Sequence, residues 1–158
     1  MKSRTIGILT VLLIIIFLIA ARIYYNTQQS FLDKKQEAIQ LIKDTVSLTK
    51  VDKFYWFNTQ ETYYSLAGTD ENGEAVYVIV SPDTKQITTL KQSQVVNEQD
   101  ARSITVQDKN PKEVLEARLG MLNNEPVWEI SYKMQNNALG YYYIAAKTGQ
   151  WVKDVENI

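Results

Sequence analysis

The fold is decided by the stretch ETYYSLAGTDENGEAVYVIVSPDTKQI, residues 61–87, which recurs without a gap 64 positions later as EPVWEISYKMQNNALGYYYIAAKTGQW, residues 125–151. Identities between the two stretches are few, but apolar, aromatic and turn positions coincide along their whole length. A pattern that returns at a fixed offset is the signature of a repeated structural unit. We therefore predict two copies of one module.

Each copy is predicted to contain one helix followed by four antiparallel strands. Apolar residues at helical spacing predict a first helix that begins near Thr27 or Ser30. Asn97 can cap the second helix, which is expected to end near Gln107. The residues after each helix are rich in aromatic and β-branched types and are separated by turn residues. The predicted strands are Val51–Phe57, Thr62–Ala67, Ala75–Ser81 and Gln86–Leu90, then Glu113–Leu122, Val127–Met134, Leu139–Ala145 and Gln150–Val155.

A helix followed by a four-stranded antiparallel meander is an α+β unit, in which the sheet buries one face against the helix. Residues 112–119 of the second copy include good helix formers, and only the repeat favours a strand there. The predicted fold class is therefore α+β, with an N-terminal transmembrane helix followed by two such modules in tandem.

Strand alternation divides each predicted sheet into two faces. The face beneath the helix is expected to form the core, from Tyr64, Leu66, Val78, Val80, Trp128, Ile130, Tyr142 and Ile144. The opposite face contains the candidate surface residues Tyr63, Tyr77, Glu129, Tyr141 and Tyr143. Tyrosine is enriched at protein interfaces. That face binds a partner, joins the two modules or covers a sheet, and the sequence leaves these alternatives open.

Four consecutive aromatic residues, Phe54, Tyr55, Trp56 and Phe57, lie in the first predicted strand. A strand must present two of them on each of its faces. We expect them to form an exposed apolar patch close to the membrane.

One apolar run, IGILTVLLIIIFLIAA at residues 6–21, has no counterpart elsewhere in the chain. As a helix extended to Ile23, it reaches the lower end of the length needed to cross a hydrocarbon core about 30 Å thick. Lys2 and Arg4 precede it, and basic residues close to a span tend to stay in the cytoplasm. The residues after the run are therefore expected to be extracytoplasmic.

A cleaved secretory signal is the alternative, because a basic segment before an apolar run is also typical of signal peptides. The cleavage site is poor, since Ile19 and Ala21 are the best candidates for its small residues and Arg22 follows directly. We therefore expect a single-pass protein of the cell membrane, with a cytoplasmic tail at 1–5 and a retained anchor at 6–23.

The chain has no cysteine and no histidine. Their absence removes disulfides, thiol nucleophiles, Ser-His-Asp triads and most zinc sites. We expect neither a metal nor a cofactor. Exported domains without disulfides are common in Gram-positive bacteria, which favours a bacterial source. Three of the 17 basic residues precede or flank the apolar run, so 14 remain against 18 acidic residues, a formal charge of −4. A nucleic-acid partner is therefore not expected.

The remaining enzymatic hypothesis is a pair of carboxylates, as in glycoside hydrolysis. The candidates are Asp70, Glu71, Glu116, Glu125 and Glu129. Most of them lie in predicted loops or at strand ends, where solvated charges keep a small domain soluble. We therefore predict that the protein is not an enzyme.

The segment YYIAAKTGQW at 142–151, behind a helix that contains Asp-Ala at 100–101, resembles the PepSY module, a small cystatin-like fold. The whole chain resembles the TseB-like cell-wall elongation regulators of Firmicutes, on the segments PVWEI at 126–130 and LGYYYI at 139–144 and on the order of tail, anchor and two modules. The first copy departs from the pattern at Lys85, where the module usually has glycine.

The resemblance implies a first module at 27–91 and a second at 92–158. It also implies a non-enzymatic membrane protein that regulates cell-wall elongation by binding a class B penicillin-binding protein transpeptidase. No catalytic residues come with it. The alternative function is an extracytoplasmic PepSY-type module that senses a ligand or inhibits a peptidase.

Overall fold

The computed structural model describes residues 2–157 and the side chains of residues 6–157. Met1 of the predicted tail, Ile158 of the second predicted module and the side chains of residues 2–5 lie outside this description. In chain order the elements are α1 (Lys2–Ile42), β1 (Leu48–Asn58), β2 (Thr62–Asp70), β3 (Ala75–Val80), β4 (Ile87–Lys91), a 3₁₀ turn (Gln92–Gln94), α2 (Glu98–Lys109), β5 (Glu113–Leu122), β6 (Glu125–Lys133), β7 (Leu139–Ala145) and β8 (Trp151–Glu156).

The helix α1 runs without interruption from the apolar run into the first module. The prediction of a separate helix that begins near Thr27 or Ser30 is therefore wrong. The physical reason is that residues 22–36 contain neither proline nor glycine, so nothing in them breaks the helix. Within the described residues, α1 is the one helix long and apolar enough, by length and composition, to cross a membrane. The chain divides into two compact units, one up to residue 36 and one from residue 37.

The second unit contains two four-stranded antiparallel sheets, ordered β1-β2-β3-β4 and β5-β6-β7-β8. Both are meanders in which each strand pairs with the next along the chain. The β5–β6 hairpin turns through Asn123 and Asn124, with φ of 51° and 65°, the left-handed conformation that a tight hairpin turn requires. Residues 113–122 form a strand, as the repeat predicted. Two sheets, each with a helix, confirm the predicted α+β fold class.

Each sheet packs one face against its own helix. Ala38 and Ile42 at the end of α1 join the core of the first sheet, and Ala101 of α2 joins the core of the second. The eight residues assigned to the helix-covered faces are all buried. The four residues of the first sheet correspond to the four of the second at the offset of 64, so the two copies share one arrangement. The helix α2 is capped by Asn97, whose side chain accepts a hydrogen bond from Asp100 N at 2.9 Å.

The four consecutive aromatic residues of β1 do not form an exposed patch. Phe54, Tyr55 and Phe57 are buried, and Trp56 is half-buried. Phe54 and Trp56 point into the core of the first sheet, whereas Tyr55 and Phe57 contact residues of the second module. The alternation was predicted, but the exposure was wrong because the second module covers the other face of β1.

Substitution of Trp128, with substitution of Trp151 as the matched control, tests which residues form the core. The Trp128 side chain is fully buried, whereas that of Trp151 is 60% exposed. Trp128→Ala is expected to lower the free energy of unfolding by about 3–5 kcal/mol, because a large apolar side chain is lost and a cavity remains. Trp151→Ala is the control and should change it little. The measurement is urea unfolding of the full chain in detergent, followed by circular dichroism. Equal losses in the two variants would contradict this assignment of the core.

Candidate functional site

The predicted surface residue Tyr77 lies between the two modules. Its ring meets the indole of Trp128 edge-on, with centroids 5.6 Å apart, and the ring of Tyr55 meets the same indole at 5.3 Å. Both tyrosines belong to the first sheet, whereas Trp128 belongs to β6. The Trp128 Nε1 donates a hydrogen bond to the Val96 carbonyl at 2.7 Å. Tyr77 is 4% exposed and is therefore part of the contact between modules.

The edge strand β5 lies between two aromatic side chains of β1. Tyr55 joins the cluster that contains Leu119, whereas Phe57 joins the cluster on the other face of the second sheet. Phe57 lies so close to Gly120 that a Cβ atom built there would be 2.2 Å from its ring. The Ser65 hydroxyl donates to the Leu119 carbonyl at 2.7 Å, and both residues are buried. The first sheet thus fills the space beside β5 and donates a hydrogen bond to a carbonyl at the free edge of β5.

A second polar contact joins the modules at the start of α2. Glu98 Oε2 accepts from Lys53 Nζ at 2.6 Å and from the Tyr55 hydroxyl at 2.9 Å, and Arg102 Nε donates to Oε1 at 3.0 Å. Burial alone would raise the pKa of Glu98, but the hydrogen bonds from Lys53, Tyr55 and Arg102 outweigh it and lower the pKa below its ordinary value of 4.5. The charged carboxylate is therefore the form that holds the two modules together here.

Glu129 and Tyr143 meet on the face of the second sheet away from α2. The Tyr143 hydroxyl donates to Glu129 Oε2 at 2.6 Å, and Thr59 of the β1–β2 loop donates to the same oxygen at 3.2 Å. Arg118 Nη1 approaches Oε1 at 3.4 Å. Burial, followed by the hydrogen bond to Glu129, raises the pKa of Tyr143 above its ordinary range. Glu129 is 5% exposed and is satisfied from three sides.

Tyr141 lies on the same face and packs against the cluster that contains Phe57 and Tyr143. It is half-buried, and its register partner Val155 is 41% exposed. Leu139, two residues before it, is 36% exposed. The strand register places Glu116 and Ser131 in the same row. We call these five residues, Glu116, Ser131, Leu139, Tyr141 and Val155, the open face.

The five predicted surface residues are thus divided by the structure. Tyr77 lies between the modules, and the half-buried Tyr63 packs beside Phe57 with ring centroids 6.3 Å apart. Tyr143 and Glu129 are buried in the network with Thr59. Tyr141 is the one of the five that lies on the open face.

The candidate carboxylates are engaged in separate local contacts. Asp70 accepts from the backbone N–H groups of Asn72 and Glu74 in its own turn, and the Lys147 ammonium donates to Glu125 at 3.0 Å. Arg118 Nη2 donates to Glu116 at 2.6 Å and links it to the buried Glu129. Glu71 is exposed in the β2–β3 turn. Among the described residues, no group of three acidic side chains could hold a metal ion.

The sequence reasoning missed the residues that join the modules, namely Ser65, Thr59, Gly120 and Glu98. Two of them, Gly120 and Ser65, could have been found from the sequence. A glycine inside a strand often marks the close approach of another chain segment, and a serine between Tyr64 and Leu66 is a polar group in a strand that is buried on both faces. Thr59 and Glu98 lie in polar surroundings in the sequence and gave no such signal.

Each of the two copies is similar to a known domain family. The family model described as "Cell wall elongation regulator TseB-like domain" matches residues 37–81. The model of the PepSY domain, described as "Peptidase propeptide and YPEB domain", matches residues 95–154. A protein of Bacillus subtilis (strain 168) named "Probable cell wall elongation regulator TseB" is 26% identical over 146 residues, which cover 92% of this chain and 91% of that protein. The chain is thus similar to a TseB-like regulator over most of its length.

The solved structure of the YpmB protein from Bacillus subtilis shows the same fold. Its TM-score to this chain is 0.69 at 27% sequence identity, and the alignment covers 77% of this chain and 95% of that one. The first matched segment ends just after β3, and the second extends from the residues before α2 into β8. The second copy is thus the more typical PepSY module.

Gly120→Ala tests the close contact between β5 and β1. The added methyl group would clash with the Phe57 ring and is expected to lower the free energy of unfolding by about 1–3 kcal/mol through overpacking. Phe57→Leu combined with Gly120→Ala should recover part of that loss. The measurement is a double-mutant cycle in urea, with Phe57→Leu alone as the control. Additive effects would show that the two residues do not meet.

The Glu98 contact predicts a loss of stability in acid. Because the pKa of Glu98 is lower in the folded state than its ordinary 4.5, the unfolded chain binds the proton first. The stabilisation is complete above about pH 4.5 and is lost as the pH falls through the folded pKa. Asp70, Asp154 and Glu156, whose pKa values are also lowered, act in the same direction.

Glu98→Gln should therefore lower stability at pH 7 and reduce the acid dependence of the urea midpoint. The exposed Glu71→Gln is the matched control and should leave both unchanged. A Glu98→Gln protein with the same pH profile as the wild type would contradict the assignment.

Proposed function

We propose that this chain is a membrane-anchored, extracytoplasmic and non-enzymatic regulator of cell wall elongation that acts by binding a class B penicillin-binding protein transpeptidase. The observation that carries the binding role is the open face, an incompletely covered sheet surface centred on Tyr141. The name of the B. subtilis relative supports the cellular process. The resemblance of the sequence to its family supports the choice of partner.

The proposed topology follows from the apolar part of α1. An anchor at 6–23 in the membrane, with the tail at 1–5 in the cytoplasm, places the modules at 27–91 and 92–158 outside the cell. An anchored protein meets a partner held in the same membrane at a high effective concentration. A modest binding surface is then sufficient for a regulatory contact.

The open face has the composition of a protein interface. Tyr141 offers a large ring with few rotatable bonds, and Leu139 and Val155 add exposed apolar area on either side. Arg118 and Lys153 lie at the border, where Lys153 Nζ rests 4.5 Å from the Tyr143 ring centroid. An aromatic centre with a charged rim is the usual anatomy of a binding hot spot.

The geometry favours binding over catalysis. The chain contains no histidine or cysteine, and the carboxylates of the second sheet are engaged with Arg118, Tyr143 and Lys147. The buried Glu129 accepts hydrogen bonds from donors of both modules, and these contacts account for a carboxylate in a buried position. A role in positioning the open face accounts for this network.

Tyr141→Ala is expected to weaken capture of the partner at least tenfold, while the thermal midpoint of the chain changes little because Tyr141 is only half-buried. The full chain is placed in lipid nanodiscs and titrated onto immobilised ectodomains of the class B transpeptidases of the source organism. Trp151→Ala, which removes an exposed aromatic from another part of the second sheet, is the matched control and should bind normally.

Two outcomes would contradict the proposal. One is a wild-type chain that captures none of these transpeptidases. The other is a folded Tyr141→Ala, Val155→Ala double variant that captures its partner as well as the wild type does.

A further inference from the structure

A small polar cleft lies between the β1–β2 loop of the first module and the β5–β6 turn of the second. Its volume is about 150 Å³. The residues that line it include Gln60, Glu61, Tyr63, Met121, Asn123 and Asn124. The two walls come from different copies, so the cleft exists because the modules are docked. It lies apart from the open face and is not part of the proposed partner surface.

The lining groups are suited to a neutral ligand that carries hydroxyl groups. Three amide side chains, those of Gln60, Asn123 and Asn124, each offer a donor and an acceptor in one plane. The Glu61 carboxylate adds acceptors, and the described residues of the lining include no lysine or arginine to attract an anion. Alternating donors and acceptors in planar groups match neighbouring hydroxyls of a ring.

Tyr63 and Glu61 form a fixed pair in one wall. The Tyr63 hydroxyl donates to Glu61 Oε2 at 2.5 Å. Burial, with help from that hydrogen bond, raises the pKa of Tyr63 to about 12. The second carboxylate oxygen of Glu61 is available to accept from a ligand.

The cleft is built on restrained backbone. Asn123 and Asn124 are held at positive φ by the tight β5–β6 turn. The opposite loop is tied by Thr59 to Glu129 and by Thr62, whose hydroxyl donates to Asn58 Oδ1 at 3.3 Å. A site that is formed before the ligand arrives loses less free energy in ordering its groups. Its volume is below the range of about 300–1,000 Å³ typical of drug-sized pockets, so one ring is the largest group it can enclose.

We propose that this cleft binds a single pyranose ring of a neutral glycan. The amides and Glu61 hydrogen-bond the hydroxyls of the sugar, and Tyr63 holds Glu61 in place through its hydroxyl. Cell wall glycans are polymers of N-acetylated pyranoses, and a sugar residue of such a chain is the source we favour. The inference does not depend on the transpeptidase as partner.

The test is a titration of the isotopically labelled full chain in detergent with the tetramer of N-acetylglucosamine, and in a separate arm with a glucose tetramer. The readout is the side-chain amide resonances of Gln60, Asn123 and Asn124. We expect saturable shifts with the N-acetylglucosamine tetramer. Binding of the glucose tetramer as well would support a pyranose site of broader specificity.

The variants exploit the backbone of the turn. Asn124→Gly removes one amide but suits the positive φ of 65°, so the hairpin should fold normally. We expect it to weaken sugar binding at least tenfold, and Gln60→Ala to do the same. Asn137→Gly, at φ 68° in the β6–β7 turn, is the matched control and should bind as the wild type does.

The proposal is overturned if neither sugar gives saturable shifts, or if Asn124→Gly and Gln60→Ala leave the affinity unchanged. Capture of the transpeptidase by Asn124→Gly is measured in parallel. Because Asn124 is not on the open face, that capture should be intact, and a failure of either proposal is then distinguishable from a failure of the other.

Discussion

The burial of the free edge of β5 against the first sheet is the constraint on which the rest of this structure depends. An open strand edge exposes carbonyl and N–H groups that must find partners or stay in water. Here the Ser65 hydroxyl satisfies the Leu119 carbonyl, and Tyr55 and Phe57 fill the two sides of the strand. A module of this size buries a small core when alone. The Trp128 cluster therefore gains Tyr55, Ala67, Tyr77 and Ile79 from the first sheet, while the core between that sheet and α1 stays a separate cluster.

That docking also determines which part of the tyrosine-rich surface remains available. Phe57 and Thr59 cover the end of the second sheet near Glu129 and Tyr143, because both follow Tyr55 on the strand and loop that pass β5. Tyr141 packs at the border of the cluster that contains Phe57 and Tyr143 and stays half-buried. The same docking brings the β1–β2 loop beside the β5–β6 turn and so creates the polar cleft. Both proposed binding sites are consequences of one contact between modules.

The sequence predicted the α+β fold and the covered faces because both follow from local period and from the repeat. Alternation cannot tell what covers the second face of a sheet. Tyr77 was therefore left open between a partner surface and the contact between modules, and the aromatic run of β1 was expected to be exposed. One signal was present: residues 76–80 are apolar at every position, which is typical of a strand buried on both faces. The continuity of α1 was missed because a span of minimal length suggested an early end to the first helix. The cleft joins residues about 60 positions apart and required the docked geometry.

Tyr77 and Tyr141 show why the two copies expose different surfaces although they share a fold. They occupy equivalent positions at the offset of 64 and are the same residue. The docking is heterologous, since the outer face of the first copy packs on a different surface of the second. A pair joined in this way must leave one outer face without a copy to cover it, and that face belongs to the second module. Tyr77 is therefore buried in the contact between the modules. Tyr141 has a partly exposed ring, and the proposed binding of another protein rests on it.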